Sequence, residues 1–512
     1  MRRSILIAGA VLALATAAPA DQWQHLVIMH TNDIHGHLPA EEAWWINPNF
    51  PPPLTNGAGA ALLIKEEREK AQRAGHGFLL LEGGDIFSGT PVGEVSKGRA
   101  VLEFMNALGY DAMAVGNHDF DQGQQTFLSL LQDAKFPALG ANVVDSATQA
   151  VWPHLKPYIV VERLGLRIGI LGLSSQYTRG MSTAANIKGL DFLTEIPAGR
   201  RWMDSVRAQR VDLVIGLLHT GNRHDRRIAD SIPGFDVIIG AHSHTGMREA
   251  YEDPANHTII VQTYGNLSCI GKLDLAIDPA TRQIVGYEYK LKDLLAEEVD
   301  VDTTFQRLIG AWQAKAEAGF DSVIGVARND IGIVDGESPI GNLVCDAMRE
   351  AVGADFAFQN SAGIRGTLPA GDITYRAVHK VDAFGNYIVT YNMTGAQVVK
   401  ICETSVLGFH GIFQVGGLSM TYDARRPIWQ KVSQVLVNGQ PIDTMKIYKV
   451  ATNNFLAGGG QNYKEFNKGA DRNDTYLTVR QALADYVRRH TPLEVHIEGR
   501  IRETSGKGGG RQ

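Results

Sequence analysis

Histidine and aspartate recur in five short segments of the first half of the chain: Asp33-Ile34-His35, Gly83-Gly84-Asp85, Gly116-Asn117-His118-Asp119-Phe120-Asp121, His219, and His242-Ser243-His244. Each follows an apolar run that reads as a strand, over residues 25–29, 78–81, 112–115, 211–218 and 237–239. Imidazole nitrogens mixed with carboxylate oxygens suit a divalent transition ion of intermediate softness, so zinc, manganese, iron or cobalt fit better than magnesium. One carboxylate can bridge two ions. Asp85 is the candidate bridge, because Gly83 and Gly84 let its loop bend close to them. His242 and His244, two apart in extended chain, face the same side. Taken singly, such segments are mostly turns, caps or structural histidines, and Asn117 is a favoured N-cap type. Five of them at strand ends are different, since ligands of open α/β sheets gather outside the carboxyl ends of the strands. The pattern predicts a two-metal hydrolase.

The elements that must carry these segments are legible as alternation. From residue 25 to about 295, strand-like runs alternate with amphipathic stretches such as 60–73, 126–134 and 196–209, which predicts an α/β layered domain. The Pro-rich segment 47–53 reads as a loop, with Trp44 and Trp45 beside it as packing residues. Phe305, Leu308, Ile309 and Trp312 fall at helical spacing within an expected linker helix, residues 296–322. A second α/β unit is expected over 323–504, followed by a disordered Gly-rich tail at 505–512.

With 512 residues, 44% apolar and 20% charged, the chain exceeds one ordinary core and belongs to the soluble globular class. The net charge of −6, with no basic block beyond the first residues, argues against nucleic acid or anionic lipid as a partner. A small anionic substrate must then be met by local charge, from metals or single arginines. Arg2-Arg3, an apolar stretch over 5–15 and Ala18-Pro19-Ala20 ahead of Asp21 read as a secretory signal peptide, residues 1–20, too short to span a membrane. The mature protein is expected to begin near Asp21 and to be periplasmic or secreted, without a membrane anchor after cleavage. Cys269, Cys345 and Cys402 lack CxxC spacing and neighbouring histidines, which predicts buried thiols instead of a thiolate metal site.

The motifs resemble those of metallophosphoesterases of the secreted 5′-nucleotidase family, which includes UDP-sugar hydrolases and ecto-nucleotidases. The resemblance spans residues 26–502 and rests on His30-Thr31-Asn32-Asp33-Ile34-His35-Gly36, Gly83-Gly84-Asp85, Gly116-Asn117-His118-Asp119-Phe120-Asp121 and Gly240-Ala241-His242-Ser243-His244. It implies a four-layer αββα metallophosphoesterase domain over 21–295, joined by the linker helix to an α/β substrate-binding domain. It also implies two divalent ions, one held by Asp33, His35, Asp85 and His244, the other by Asp85, Asn117, His219 and His242. His118 and Asp121 match the family's catalytic pair, and three-residue spacing at a helix start puts them on one face. Asp121 would orient the imidazole and favour its charged form.

In the second unit Gln359-Asn360-Ser361-Ala362-Gly363-Ile364-Arg365 resembles the family's phosphate loop, with Asn360 and Arg365 as the matching substrate contacts. Asn453-Asn454-Phe455-Leu456-Ala457-Gly458-Gly459-Gly460 resembles the base-stacking segment, with Phe455 as the ring. Phe413, beside Gln414-Val415-Gly416-Gly417, is the candidate second ring. Two departures stand out: Gln461 occupies a position where the family usually has Asp, and no arginine lies between Arg376 and Arg425. The implied activity is hydrolysis of nucleotide phosphate esters by in-line attack of a metal-activated water. The same centre could serve nucleotide sugars, 2′,3′-cyclic nucleotides or a thiosulfohydrolase reaction. A non-catalytic binding protein is the reading from another class, and the complete ligand set argues against it.

Overall fold

In the first strand, β1 (Gln24–Thr31), successive side chains go to opposite faces: Leu26 and Ile28 join one buried cluster, Val27 and Met29 another. A strand apolar on both faces must be covered on both. The computed structural model describes residues 23–504, except 44–49, 88, 183–185, 383–384, 408–410 and 460–462. The expected signal peptide, Trp44, Trp45, Gln461 and the Gly-rich tail lie outside the described residues.

The strand β1 pairs in parallel with β2 (Gly77–Glu82), which pairs with β3 (Ala112–Ala114) and then Ala138–Leu139, while Cys269–Ile277 and Ile284–Asp293 extend the other edge antiparallel. A second six-stranded sheet centres on β4 (Leu213–His219) and β5 (Val237–Gly240), which are parallel to each other and to Leu166–Ser174. Leu26, Ile28, Leu79 and Leu81 meet Ile170, Ile215 and Leu217 between the two sheets. Outside the first sheet lie α1 (Asn56–Ala74), α2 (Pro91–Ser96) and α3 (Arg99–Leu108); outside the second, Glu195–Arg207 and Asn222–Ser231. The result is the four-layer αββα arrangement, with each buried Leu or Ile contributing about 1.5–3 kcal/mol.

The second unit is built on a five-stranded sheet, in the order Phe413–Gly416, Phe356–Asn360, Ile447–Asn453, Tyr387–Thr394, Ala470–Thr478, with a four-stranded and a two-stranded sheet besides. Helices Pro339–Val352 and Val479–His490 pack on one face and Gly395–Ser405 on the other. All three cysteines are buried and free.

The helix expected to link the units, α4 (Thr303–Glu317), does not hang free. Phe305, Ile309 and Ala316 are buried in the first unit's outer core, Phe305 edge-on to Phe104 at 5.6 Å, and the Trp312 indole donates to Glu103 at 2.7 Å. Phe320, three residues past the helix, packs edge-on to Tyr375 of the second unit at 5.1 Å. The connection is therefore much shorter than residues 296–322. The amphipathic spacing identified the helix, but the partner of its apolar stripe lay beyond local sequence.

Just ahead of the first metal-type loop, the His30 ring is fully buried against Tyr289 and opposite Gly271 in the register. A Cβ on Gly271 would lie 1.9 Å from His30 Nε2, and the ring it would displace is itself fully buried. Gly271→Ala is expected to lower stability by about 1–3 kcal/mol through overpacking, read from the urea unfolding midpoint. An unchanged midpoint would show that this ring is not pinned.

Candidate active site

Five of the predicted residues sit at strand ends in left-handed backbone: Asp33 (φ +52°), His35 (+49°), Asp85 (+60°), His242 (+74°) and His244 (+49°). Such a φ costs a non-glycine residue of order 1–3 kcal/mol, so the surroundings must impose it. Here the loops brace one another. Asp33 N–H donates to Gly84 O at 2.9 Å and His35 N–H to Asp85 O at 3.0 Å, while His242 N–H donates to the Asp33 carboxylate at 2.9 Å. Asp119, buried and without an assigned role from sequence, accepts from Gly116 N–H at 2.8 Å and Ile86 N–H at 3.0 Å, stapling the β2 and β3 loops together. Asn32 does the same elsewhere, donating to Asp33 at 2.7 Å and accepting from Thr263 N–H at 2.8 Å. Both residues lie inside the motifs, yet only their partners reveal what they do.

The side chains converge as two donor groups, Asp33/His35/His244 and Asp85/His219/His242, each with its donor atoms within 4.8 Å of one another and able to hold a metal ion. In the first, His244 Nε2 lies 3.4 Å from Asp33 Oδ1 and 3.3 Å from His35 Nε2. In the second, His219 Nε2 lies 3.0 Å from Asp85 Oδ2 and 3.2 Å from Asn117 Oδ1. Asp85 Oδ2 is also 4.0 Å from His35 Nε2, which puts this carboxylate between the groups.

The electrostatics fit divalent cations. Burial opposes charge on Asp85, but His219, His118 and His35 around it hold the carboxyl well below the usual carboxylate range. Burial pushes His35 down to about 3 and His242 to about 4, leaving the neutral imidazole that binds metals. At His219 burial is outweighed by Asp85, which pushes the ring up to about 9, so the carboxylate demands a positive charge at that nitrogen, and a metal ion can supply it.

His118 and Asp121 flank this centre. His118 Nδ1 lies 2.8 Å from Asp121 Oδ2, and the His118 N–H donates to Asp85 Oδ1 at 2.7 Å. Burial disfavours an imidazolium here, but Asp121 and Asp85 outweigh it and push His118 up to about 10. The sequence placed the pair on one face of a helix start, and a short 3₁₀ turn, His118–Phe120, delivers it.

The centre opens into a cleft of about 2110 Å³ between the two units. From the second unit Arg365, Lys380, Tyr387, Asn454, Arg472, Asp474 and Arg480 face it. Arg472 grips Asp474 through two bonds of 2.9 Å, and Tyr387 OH donates to the same carboxylate at 3.1 Å. Arg480, 2% exposed, donates across the cleft to Glu94 of α2 at 2.6 Å. Arg472, Asp474 and Arg480 carry no motif, so only the fold brings them forward. Phe455 is 43% exposed next to Asn454.

Two expected substrate contacts are corrected. Phe413 is 1% exposed and packs at 4.3 Å against Tyr463 within the core, so it offers no face to a base. Its strand is buried on both faces, a property that the local sequence does not disclose. Asn360 is buried behind the cleft wall, where its Oδ1 accepts from Asn453 at 2.8 Å and ties the two loops together.

The calcineurin-like phosphoesterase family matches residues 26–246, and the 5′-nucleotidase C-terminal domain matches residues 323–468. Human 5′-nucleotidase is 30% identical over 558 positions, covering 98% of this chain and 94% of that one. Protein UshA of Yersinia enterocolitica is 28% identical, covering 96% and 98%. The crystal structure of a 5′-nucleotidase precursor from Thermus thermophilus superposes with a TM-score of 0.64 at 28% identity, over 94% of this chain and 99% of that one. Arg472, Asp474 and Arg480 lie past the last residue matched by the C-terminal domain.

A Cβ on Gly116 would lie 2.1 Å from Asp85 Oδ1 and 2.6 Å from its backbone nitrogen. Gly116→Ala is therefore expected to displace Asp85 and weaken metal binding about 10–100-fold, the range for groups that orient ligands. Metal titration of the stripped variant measures this, and wild-type affinity would refute the packing argument.

Proposed function

Since this chain belongs to the 5′-nucleotidase family and is a metal-dependent phosphoric ester hydrolase, we propose that it is a secreted binuclear-metal enzyme that removes phosphate from nucleotides. The observation that supports this best is the pair of buried His/Asp donor groups meeting at Asp85, with Arg365 on the facing wall of the same cleft. Asp33, His35, Asp85 and His244 would hold one ion, and Asp85, Asn117, His219 and His242 the other. Zinc, manganese, cobalt or iron bound there supplies Lewis-acid charge and makes water nucleophilic near neutral pH. His118, its Nδ1 engaged by Asp121, presents Nε2 to the phosphoryl oxygens or the leaving group. The Arg365 guanidinium receives phosphate from the other wall, and the exposed Phe455 ring stacks on the base. Secretion rests on the Arg2-Arg3, apolar and Ala18-Pro19-Ala20 pattern.

A second reading, nucleotide sugars at the same centre, is favoured by the cleft's size. At about 2110 Å³ it exceeds the ~300–1,000 Å³ of ordinary ligand pockets.

A panel of mono-, di-, cyclic and sugar nucleotides, assayed with and without chelator, tests the proposal; hydrolysis unaffected by chelator would end it. Asp85→Asn is expected to weaken both ions together, since one carboxylate serves both, and elemental analysis showing two retained ions with full turnover would remove the bridge. His118→Ala should keep its metals and lose on the order of 10²–10⁴ in turnover, with Asp121→Ala losing less. Loss of metal in the His118 variant would make it a ligand. Phe455→Ala should raise KM for nucleotides, as stacking contributes ~1–3 kcal/mol, and spare a generic aryl phosphate. Equal slowing of both substrates would exclude stacking.

A further inference from the structure

Away from the cleft, one more set of side chains has the make-up of a cation site. His25 on β1, His76 in the turn between α1 and β2, and Asp274 on Cys269–Ile277 bring one donor atom each within 4.8 Å of one another. The pairing register explains the meeting. His25 lies opposite Ala276, so Asp274 is its diagonal neighbour on the same face, and Leu26 lies opposite Gly77, which sets His76 beside His25. The cluster sits at the start of β1, whereas the active-site loops begin past its end, about 20 Å of strand away. No residue is shared between the two places.

His25 Nδ1 lies 2.7 Å from Asp274 Oδ1, and the His76 ring stacks on His25 with centroids 4.6 Å apart and planes 19° apart. An Asp–His hydrogen bond alone is an ordinary pair. A second imidazole laid against the first brings a third donor atom within 4.8 Å of the other two. Two imidazoles and a carboxylate are a zinc-type donor set that leaves a fourth position to water. Of the cations on neighbouring strand positions, Lys272 pairs with Glu67 at 2.6 Å and Arg163 with Asp111 at 2.5 Å, while Arg282 donates to the neutral Gln24 amide at 3.2 Å. All three donors are half-buried, so the position is open to exchange with solvent.

We infer that His25, His76 and Asp274 form a third divalent-metal site, for zinc or a similar borderline-soft ion, distinct from the catalytic centre and structural in effect. It ties together the first strand, the turn after α1 and a strand about 250 residues later, so an ion bound there stabilises the folded state by mass action.

The test uses the full mature chain, stripped with chelator and dialysed against zinc at fixed free concentrations, with zinc counted by elemental analysis. Wild type is expected to saturate one equivalent higher than His76→Gln and Asp274→Asn, with hydrolase activity at saturating metal unchanged. Zinc should raise the thermal midpoint more in wild type than in the variants, with equal midpoints in chelator. Asp85→Asn, run in parallel, should lower the other equivalents and leave this one, so failure of the catalytic assignment is separable. Circular dichroism confirms that each variant is folded, and a misfolded His76→Gln is replaced by His76→Asn. The site is overturned if neither folded variant binds fewer zinc ions than wild type.

Discussion

Asp85 carries a negative charge to a point that is 1% exposed, and an isolated buried charge costs several kcal/mol unless paired and hydrogen-bonded. The structure around it is arranged to meet that cost. One oxygen receives the His118 N–H and the other lies against the His219 ring, so both oxygens are met by groups that favour the charged form. To let the carboxylate reach this position, Gly84 and Gly116 forgo side chains, since a Cβ on either would collide with backbone of the neighbouring loop. Asp119 then fixes both loops by their N–H groups, and burial together with Asp85 raises its own carboxyl to about 7. The strained backbone at Asp33, His35, His242 and His244 serves the same end: the strain aims donors at one place and is held by bonds between loops.

This explains why the centre was legible in sequence and its supports were not. Ligand identity follows from residue type, and convergence follows from strand polarity, so Asp33, Asp85, His219 and His242 could be read from local order alone. The layered α/β domain could be read too, because strand-like runs alternate with amphipathic stretches such as 60–73 and 196–209. Left-handed φ at residues other than glycine, the Asp119 staple and the docking of α4 depend on partners distant in the chain. Phe413 shows the limit most directly: the four residues of its strand are all buried, and nothing local tells a core ring from a cleft ring.

The second unit follows a looser logic. Arg365 is supplied by a motif, but Lys380, Arg472 and Arg480 reach the cleft from different elements, which offsets the shortage of arginines before residue 425. Arg472 is committed to Asp474 and Arg480 to Glu94, so two of the four cations named on this wall already have carboxylate partners.

The brevity of the joint near Gly319 has a consequence of its own. With α4 fastened to the half that gathers histidines and Phe320 fastened to the other, the covalent bridge between reactivity and preference is a few atoms of backbone. A lineage can therefore graft a new second half, or lengthen its loops, without disturbing the sheet edge where the cations belong. A chimera cut at Gly319 would take its His/Asp donor groups from one parent and the Arg365 wall of the cleft from the other.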